Sequence, residues 1–597
     1  MEKAFASSNN RFLFYLVRPI GSRKPNVSET ITERDDSMIY SLERRLERWA
    51  EHFEEQFNQP AANAPILGIP EAEWSVNTQE PTYEEIQREV NLLKRDKAPG
   101  LDGLHPSLFK EGGRSLIISL TNILQTVWNE ERLPKEWTTS TVIPVFKKGA
   151  RSLCENHRGI SLVNVASKVL SGLILRRLTG HREGQIRENQ AGFRPGRGCI
   201  DHIFALRQIL ELRHSFQQPT MVVFLDLKSA FDSVDRQALW QCLSVKGVPP
   251  KFLNILKALY AHPRGRVRVY GRLSPEFSTS SGVRQGYPLS PFLFNFVIDL
   301  ILESSLPVSG SCGVELLPGR CLTDLEYADD IALLGSDPSH IQIIINNLTN
   351  AAARFGMRFA PAKCKVLLQD WSGSYPNLVL AGEPIEVVDK YIYLGSCISA
   401  GGLAGNEISL RIGKARAAFS KLRHLWRRRD VSLSVKGRVY SAAVRSILLY
   451  GSETWPLRAE DVRKLSVFDH RCLRSIARVW WERRISNAEV RRMVFGHRKA
   501  HALDKLISLH RLRWLGHVLR MSPDRLPRRA LFAQPCTGWK RLRGGQPMTW
   551  QRSIKALTSS LGRARNCRLP GWGPRDPPTK WLETLTDMAH LHPSYRL

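Results

Sequence analysis

The sequence predicts an α+β fold around an antiparallel sheet, and three observations carry that prediction. Met221–Leu227 (MVVFLDL) is an apolar run of strand length holding a single carboxylate, Asp226, near its end. Leu325–Leu334 (LEYADDIALL) sets two apolar flanks around an acidic pair, which reads as a β-hairpin with Asp329 and Asp330 at its tip. Apolar residues at helical spacing recur on either side, first at Leu42, Leu46, Trp49, Phe53 and Phe57, later at Ile408, Ile412, Ala415, Phe419, Leu422 and Trp426. At 597 residues, 42% of them hydrophobic and 24% charged, the chain is globular and too long for one ordinary core, so several domains are expected.

Taken in order, residues 1–89 read as a lead-in whose amphipathic helix, with Ser41 as N-cap, packs on the main body. Asp96 opens denser punctuation. Lys97–Gly103 (KAPGLDG) is a rigid Pro/Gly turn, and Thr141–Gly149 (TVIPVFKKG) is a strand that ends in Lys147 and Lys148. Lysines leaving a strand end are ordinarily solvated, so this segment says little by itself.

The central stretch says more. A buried strand rarely tolerates a charge unless that charge is paired or binds metal, which makes Asp226 a candidate ligand. Asp329 and Asp330 are neighbours, so both reach one site only if the turn bends them toward it; Asp329 is then the direct ligand and Asp330 a less direct partner. Adjacent carboxylates repel without a cation. Two acidic strands side by side form an all-oxygen cradle, which suits the two hard cations, roughly 3.5–4 Å apart, of nucleotidyl transfer. Mg²⁺ fits such donors, and Mn²⁺ would too.

Charge supports a polyanionic partner. Lys and Arg number 87 against 56 Asp and Glu, for a net +31 and a pI near 10.1. Residues 401–550 hold 33 Lys and Arg against 10 Asp and Glu, so they carry +23 of that excess. A nearly balanced catalytic body followed by a module that grips a phosphate backbone is the expected organisation. The helix at 408–426 presents Arg411, Lys414, Lys421 and Arg423 on the face opposite its apolar stripe, a candidate backbone-tracking surface. Arg511–His517 and Trp539–Arg543 mix bases with aromatics, as nucleic-acid surfaces do, although the first segment reads more readily as aromatics in a helical core with solvated arginines. Ten scattered cysteines without a Cys-x-x-Cys pair read as reduced intracellular thiols. The apolar run Phe12–Val17 is too short for a signal core or a membrane span, so no membrane partner is expected.

Longer motifs resemble a known family. Phe224–Asp232 (FLDLKSAFD), Ser281–Pro291 (SGVRQGYPLSP) and Tyr327–Asp330 (YADD) are similar, in order and spacing, to the palm motifs of the reverse transcriptases of non-LTR (LINE-type, RTE-like) retrotransposons. Asn156–Leu162, Gln190–Arg194, Lys363–Lys365 and Tyr393–Ser396 extend the resemblance both ways. It implies a right-hand polymerase with fingers at 90–215, an antiparallel-sheet palm at 216–398, a helical thumb at 399–510 and a basic nucleic-acid-binding extension at 511–597. The reverse transcriptase domain itself would run from about 125 to 398.

The same resemblance assigns roles. Asp226 and Asp329 would ligate metal with Asp330 in support, and Lys363 would be the general acid for the pyrophosphate leaving group. Lys147 and Arg158 would contact the incoming triphosphate, Phe231 would gate against a ribose 2′-hydroxyl, and Gln285 and Gly286 would lie beside nucleotide and template. The partners would be template RNA, primer or target DNA and deoxynucleoside triphosphates, in a cytoplasmic ribonucleoprotein and in the nucleus. Gly159, Tyr287 and Ala360 depart from the family pattern. The lead-in is too short for the family's N-terminal endonuclease, so a separately supplied nuclease is expected; the alternative is a catalytically inactive remnant that only binds nucleic acid.

Overall fold

The structure is a computed structural model that describes residues 27–591 apart from 63–64, 66–70, 307–312, 318–319, 403, 481, 497–499, 542–543, 545–547, 560–562, 565–566 and 578. The run Phe12–Val17 lies outside the described residues.

A five-stranded sheet lies at the centre, in the order Asp324–Tyr327, Asp330–Gly335, Thr220–Asp226, Lys365–Gln369, Glu386–Val387. Its first four strands pair antiparallel and the last pairs parallel with Lys365–Gln369. Thr220–Asp226 explains its own uninterrupted apolar run, because both of its faces are covered. Met221, Val223 and Leu225 join the core made by helices Ser290–Ser305 and Pro338–Ala353. Val222 and Phe224 point the other way, onto Leu206, Ile209 and Leu210 of helix Cys199–Ser215. Each fully buried side chain of this size contributes about 1.5–3 kcal/mol.

A second sheet pairs Thr139–Phe146 antiparallel with His157–Leu162 and parallel with Arg264–Val269, which is joined in turn by Arg272–Leu273 and Phe277–Ser278. Contiguous boundaries therefore do not describe the fold. The segment 264–278, expected within the 216–398 unit, completes the sheet of 139–162; helix Cys199–Ser215, expected within 90–215, lies under the central sheet. The cause is local. A strand that pairs parallel to Thr139–Phe146 must reach it by a long crossover, and the chain supplies that crossover through the central sheet.

Helix Leu42–Gln56 begins where Ser41 Oγ accepts from Arg44 N at 3.3 Å, and it buries Leu46, Trp49 and Phe53 against Val142, Val267 and Phe277 of the second sheet. This packing accounts for Gly159. A Cβ there would come within 2.7 Å of Phe53 Cε1 and 2.8 Å of Val142 Cγ1, so only glycine admits the helix at that distance.

Helices Gly405–Lys421, Leu433–Tyr440, Ala459–Ala477, Asn487–Phe495 and Leu503–Leu519 share a separate core around Trp455, Leu465 and Leu473. Inside it Arg445 makes a two-pronged pair with Asp469 at 2.8 and 2.7 Å, and Tyr440 donates to the same carboxylate at 2.9 Å. The residues beyond 511 are no detached tail. Leu526 and Ala530 pack on the outer side of helix Cys199–Ser215, and Trp514 and Trp550 meet Phe204 edge-on at 5.6 and 4.8 Å. Arg511 is buried there beside Ser553, so Arg511–His517 divides between core and surface. No described helix is long and apolar enough to cross a membrane, and Cys154, Cys199, Cys242, Cys321, Cys364, Cys397, Cys472 and Cys536 are free.

Candidate active site

Strand pairing brings the carboxylates together. Asp330 is the register partner of Asp226, and directly opposed residues on an antiparallel pair project to one face about 5 Å apart. Asp329 sits in the two-residue turn that Tyr327 and Asp330 close, next to Ala328 at φ +57°. Burial raises the Asp329 carboxyl above its ordinary value; repulsion from Asp226 adds to this, and Arg158 and Lys147 oppose it. Protein packed around Asp330, together with the charges of Asp329 and Asp226, pushes its carboxyl up to about 6 although its side chain opens to solvent.

Three cations converge on the same spot. Lys363, ending the turn Pro361–Lys363, places Nζ 3.2 and 3.3 Å from the two Asp226 carboxylate oxygens. Ala360, immediately before that turn, donates its backbone N–H to Asp226 O at 2.9 Å, a contact indifferent to its side chain. Lys147 leaves its strand with N donating to Asn156 O at 2.8 Å, and Arg158 lies on the partner strand opposite Val145. Burial holds the Lys147 ammonium below the usual lysine value, helped by Arg158 and Lys363 and opposed by Asp226. The second sheet thus delivers positive charge to the acidic end of the first.

The donor set is all oxygen and suits a hard divalent ion. Among the described residues no three His, Cys, Asp or Glu groups enclose a metal by themselves. Mg²⁺ is ordinarily held by one or two carboxylates plus waters and substrate phosphates rather than by a closed protein cage.

Phe231, in the short helix Ala230–Ser233 just after the Asp226 strand, is half-buried. Its ring stacks on Phe294 at 4.3 Å and meets the exposed Phe193 edge-on at 6.0 Å. Gln285 accepts Ser161 N–H at its backbone oxygen, 2.8 Å, and so ties its loop to the strand that carries Arg158. Gly286 is exposed at φ +99°, where a Cβ would meet Ile160 Cγ2 at 3.1 Å. Tyr287 fills core space: it is buried, and its hydroxyl bonds Ser167 at 3.0 Å and Ser171.

The basic face expected on the helix at 408–426 needs correction. Arg411 is only 4% exposed. It pairs with Glu407 at 2.6 Å, donates to Gly395 O and lies over the Tyr450 ring, so it joins the helix to the Tyr393–Ser396 turn and faces no solvent. Lys414, Lys421 and Arg423 are exposed, although the helix ends at Lys421 and Arg423 begins a second short one. At Trp539 the ring lies 5.8 Å from Phe216 with Arg213 above it; Leu542 and Arg543 lie outside the described residues.

Sequence reasoning passed over the residues behind the acidic hairpin. Gln190 and Gly192, read only as part of a motif, and Arg187 just before it, contact the backbone and the buried acids of the hairpin directly. A Gln-Ala-Gly run between polar residues was the only signal, and it does not reveal its target.

A family model described as reverse transcriptase (RNA-dependent DNA polymerase) matches residues 145–398. A probable RNA-directed DNA polymerase from transposon BS of Drosophila melanogaster is 26% identical over 77% of this chain and 50% of its own length. The Pol polyprotein of the type-2 retrotransposable element R2DM, also from Drosophila melanogaster, is 24% identical over 57% of this chain and 31% of its own. The chain therefore spans half or less of these relatives. Among solved structures, an apo telomerase from Candida tropicalis truncated from its C-terminal domain matches at TM-score 0.32 with 12% identity, over 46% of this chain and 59% of that one.

Proposed function

We propose, on the premise that residues 145–398 are a reverse transcriptase domain of the non-LTR retrotransposon kind, that this chain extends a DNA 3′ end on an RNA template. The observation that carries the reading is the register that sets Asp330 opposite Asp226 with Asp329 in the turn between, facing Lys147, Arg158 and Lys363. In right-hand terms the central sheet is the palm, the sheet of 139–162 with 264–278 belongs to the fingers, the helices from 405 to about 510 are the thumb, and the basic region beyond it is nucleic-acid-binding.

Asp226 and Asp329, with Asp330 in support, would hold two Mg²⁺ ions, or Mn²⁺, which when bound supply Lewis-acid activation of the primer 3′ hydroxyl and neutralise the triphosphate. Lys147 and Arg158 offer donors to the triphosphate oxygens, where a guanidinium binds with paired bonds. Phe231, braced by Phe294, presents its ring to the sugar and excludes a 2′-hydroxyl. Gln285 and Gly286 line the nucleotide and template, where glycine allows close backbone approach. Lys363, already beside Asp226, is placed to hand a proton to departing pyrophosphate.

Primer extension by the purified chain on an RNA template, with and without Mg²⁺, tests the reading. Asp226→Ala and Asp329→Ala should each abolish extension while template binding survives, because binding rests on the basic surface. Extension retained by either variant refutes the assignment, and a chain that binds but never extends is the inactive remnant.

A further inference from the structure

The acidic hairpin is short, and its turn is strained at Ala328, at φ +57°. Something must hold it. The segment Arg187–Arg194 runs behind the hairpin as a partial extra strand, with Gln190 bridged parallel to Glu326. Glu326 N donates to Asn189 O at 3.0 Å, and Ala191 N donates to Glu326 O at 2.9 Å.

Gln190 is fully buried. Its Oε1 accepts two backbone N–H groups at once, Gly192 at 2.7 Å and Ala328 at 3.0 Å, while its Nε2 donates to Glu326 Oε2 at 3.2 Å. Ala328 precedes Asp329, so this oxygen fixes the peptide next to the carboxylate in the turn. Gly192 lies so close that a Cβ on it would sit 2.3 Å from Ala328 N, and buried Asn295 anchors it from the other side by donating to Gly192 O at 2.7 Å. Arg187 grips the base of the same hairpin. Its guanidinium bonds Asp299 at 3.0 Å, Asp324 at 3.4 Å and Glu326, which joins helix Ser290–Ser305 to the strand leading into the turn.

We propose that Gln190 and Arg187 are positioning residues that hold the Tyr327–Asp330 turn, and with it the Asp329 carboxylate, in the geometry needed for nucleotidyl transfer. The proposal rests on the polymerase reading above for its catalytic consequence and on the hydrogen bonds alone for its structural one. Neither side chain touches substrate. Burial pushes Glu326 well above the ordinary carboxylate value, while Arg187, Thr323 and Asn189 hold Asp324 low against its burial.

The test perturbs the turn from both sides in the full chain. Gln190→Ala removes the bond that holds Ala328 N together with those to Gly192 and Glu326; Gly192→Ala pushes a methyl toward the Ala328 N–H. Each should lower kcat for extension on RNA by about 10²-fold, the scale of a 1 Å misplacement, with KM for nucleotide and affinity for primer–template within about twofold of the parent. Gln190→Asn keeps both the accepting oxygen and the donating nitrogen on a shorter arm and should recover part of kcat. Arg187→Lys keeps the charge but not the three-way reach and should fall between. Hydrogen exchange of peptides spanning 324–335 provides a readout apart from activity: protection there should drop in Gln190→Ala while helix Ala459–Ala477 is unchanged. A folded Gln190→Ala with parental kcat, or with parental hairpin protection, overturns the proposal. If the parent itself never extends a primer, the polymerase reading fails, and exchange still decides whether Gln190 holds the turn.

Discussion

Asparagine in place of Asp330 should make the metal-free protein more stable while impairing extension. The carboxyl at 330 is raised from 3.8 to about 6, so the folded state disfavours its charge. At about 1.36 kcal/mol per unit the shift corresponds to an upper bound of about 3 kcal/mol. The side chain opens to water, so screening reduces this to about 1 kcal/mol, or about 2 °C in the melting of a palm-sized unit. The sign follows from the direction of the shift. A carboxylate whose folded value is raised costs nothing below its unfolded value near 3.8 and costs its full share above about 6, so stability falls as pH rises between those limits. The advantage of Asp330→Asn should therefore vanish near pH 4, grow through pH 5–6 and level off by pH 7.5. Millimolar Mg²⁺ should narrow it, since a bound cation relieves the same repulsion. Thermal melts at pH 4, 5.5 and 7.5, with and without Mg²⁺, read all three features. A gap that is absent at pH 7.5, or equally large at pH 4, refutes the claim that the three carboxylates strain one another.

Phe231→Ala should raise ribonucleotide incorporation several-fold with little change in template affinity; equal strictness in an active variant would assign the gate to another residue. Reversing the charges at Lys414, Lys421 and Arg423 should flatten the log–log salt dependence of primer–template binding by up to about 3, at about 0.9 for each phosphate no longer neutralised. An unchanged slope would make that face ordinary solvated surface. Gly159→Val should drive Phe53 from its seat and release helix Leu42–Gln56, seen as faster proteolysis between 27 and 62, and Phe53→Ala in the same chain should suppress the additional effect.

The acidic end of the sheet was legible because its chemistry and its geometry share one signal. A lone carboxylate at the end of an apolar run and an acidic pair between apolar flanks are both costly unless they meet, and the register Asp226 to Asp330 makes them meet. The amphipathic lead-in helix was legible for a similar reason: Ser41 and the spacing of Leu46, Trp49 and Phe53 are local. Unit boundaries were not, because the pairing of 264–269 with 139–142 is nonlocal and leaves no mark on either segment. The acid cluster under Arg187 was hidden likewise, as Asp299 comes from helix Ser290–Ser305 while Asp324 and Glu326 come from strand Asp324–Tyr327.

Arg411 shows how a basic count misleads. The dense positive charge at 401–550 suggests a grip on phosphate, yet the arginine has two uses that composition cannot separate, and here three of them serve the interior: Arg411 on Glu407, Arg445 on Asp469, Arg511 beside Ser553. A clue was present for the first. Glu407 stands four residues before Arg411 within one helical stretch, the spacing at which a carboxylate and a guanidinium meet, and Ile408 and Ala415 flank the pair on the buried side. An acid one turn before a base, both abutting the apolar stripe, marks a base that is already engaged; Lys414, Lys421 and Arg423 have no such acid on their turn. Arg411→Ala should consequently cost about 3–5 kcal/mol by leaving buried Glu407 without its ion-pair partner. Charge reversal at the other three should leave the melting temperature within about 1 °C, since exposed charges contribute little to folding. If instead Arg411→Ala melts like the parent and loses affinity for primer–template, the buried pair is dispensable and the residue reaches phosphate after all.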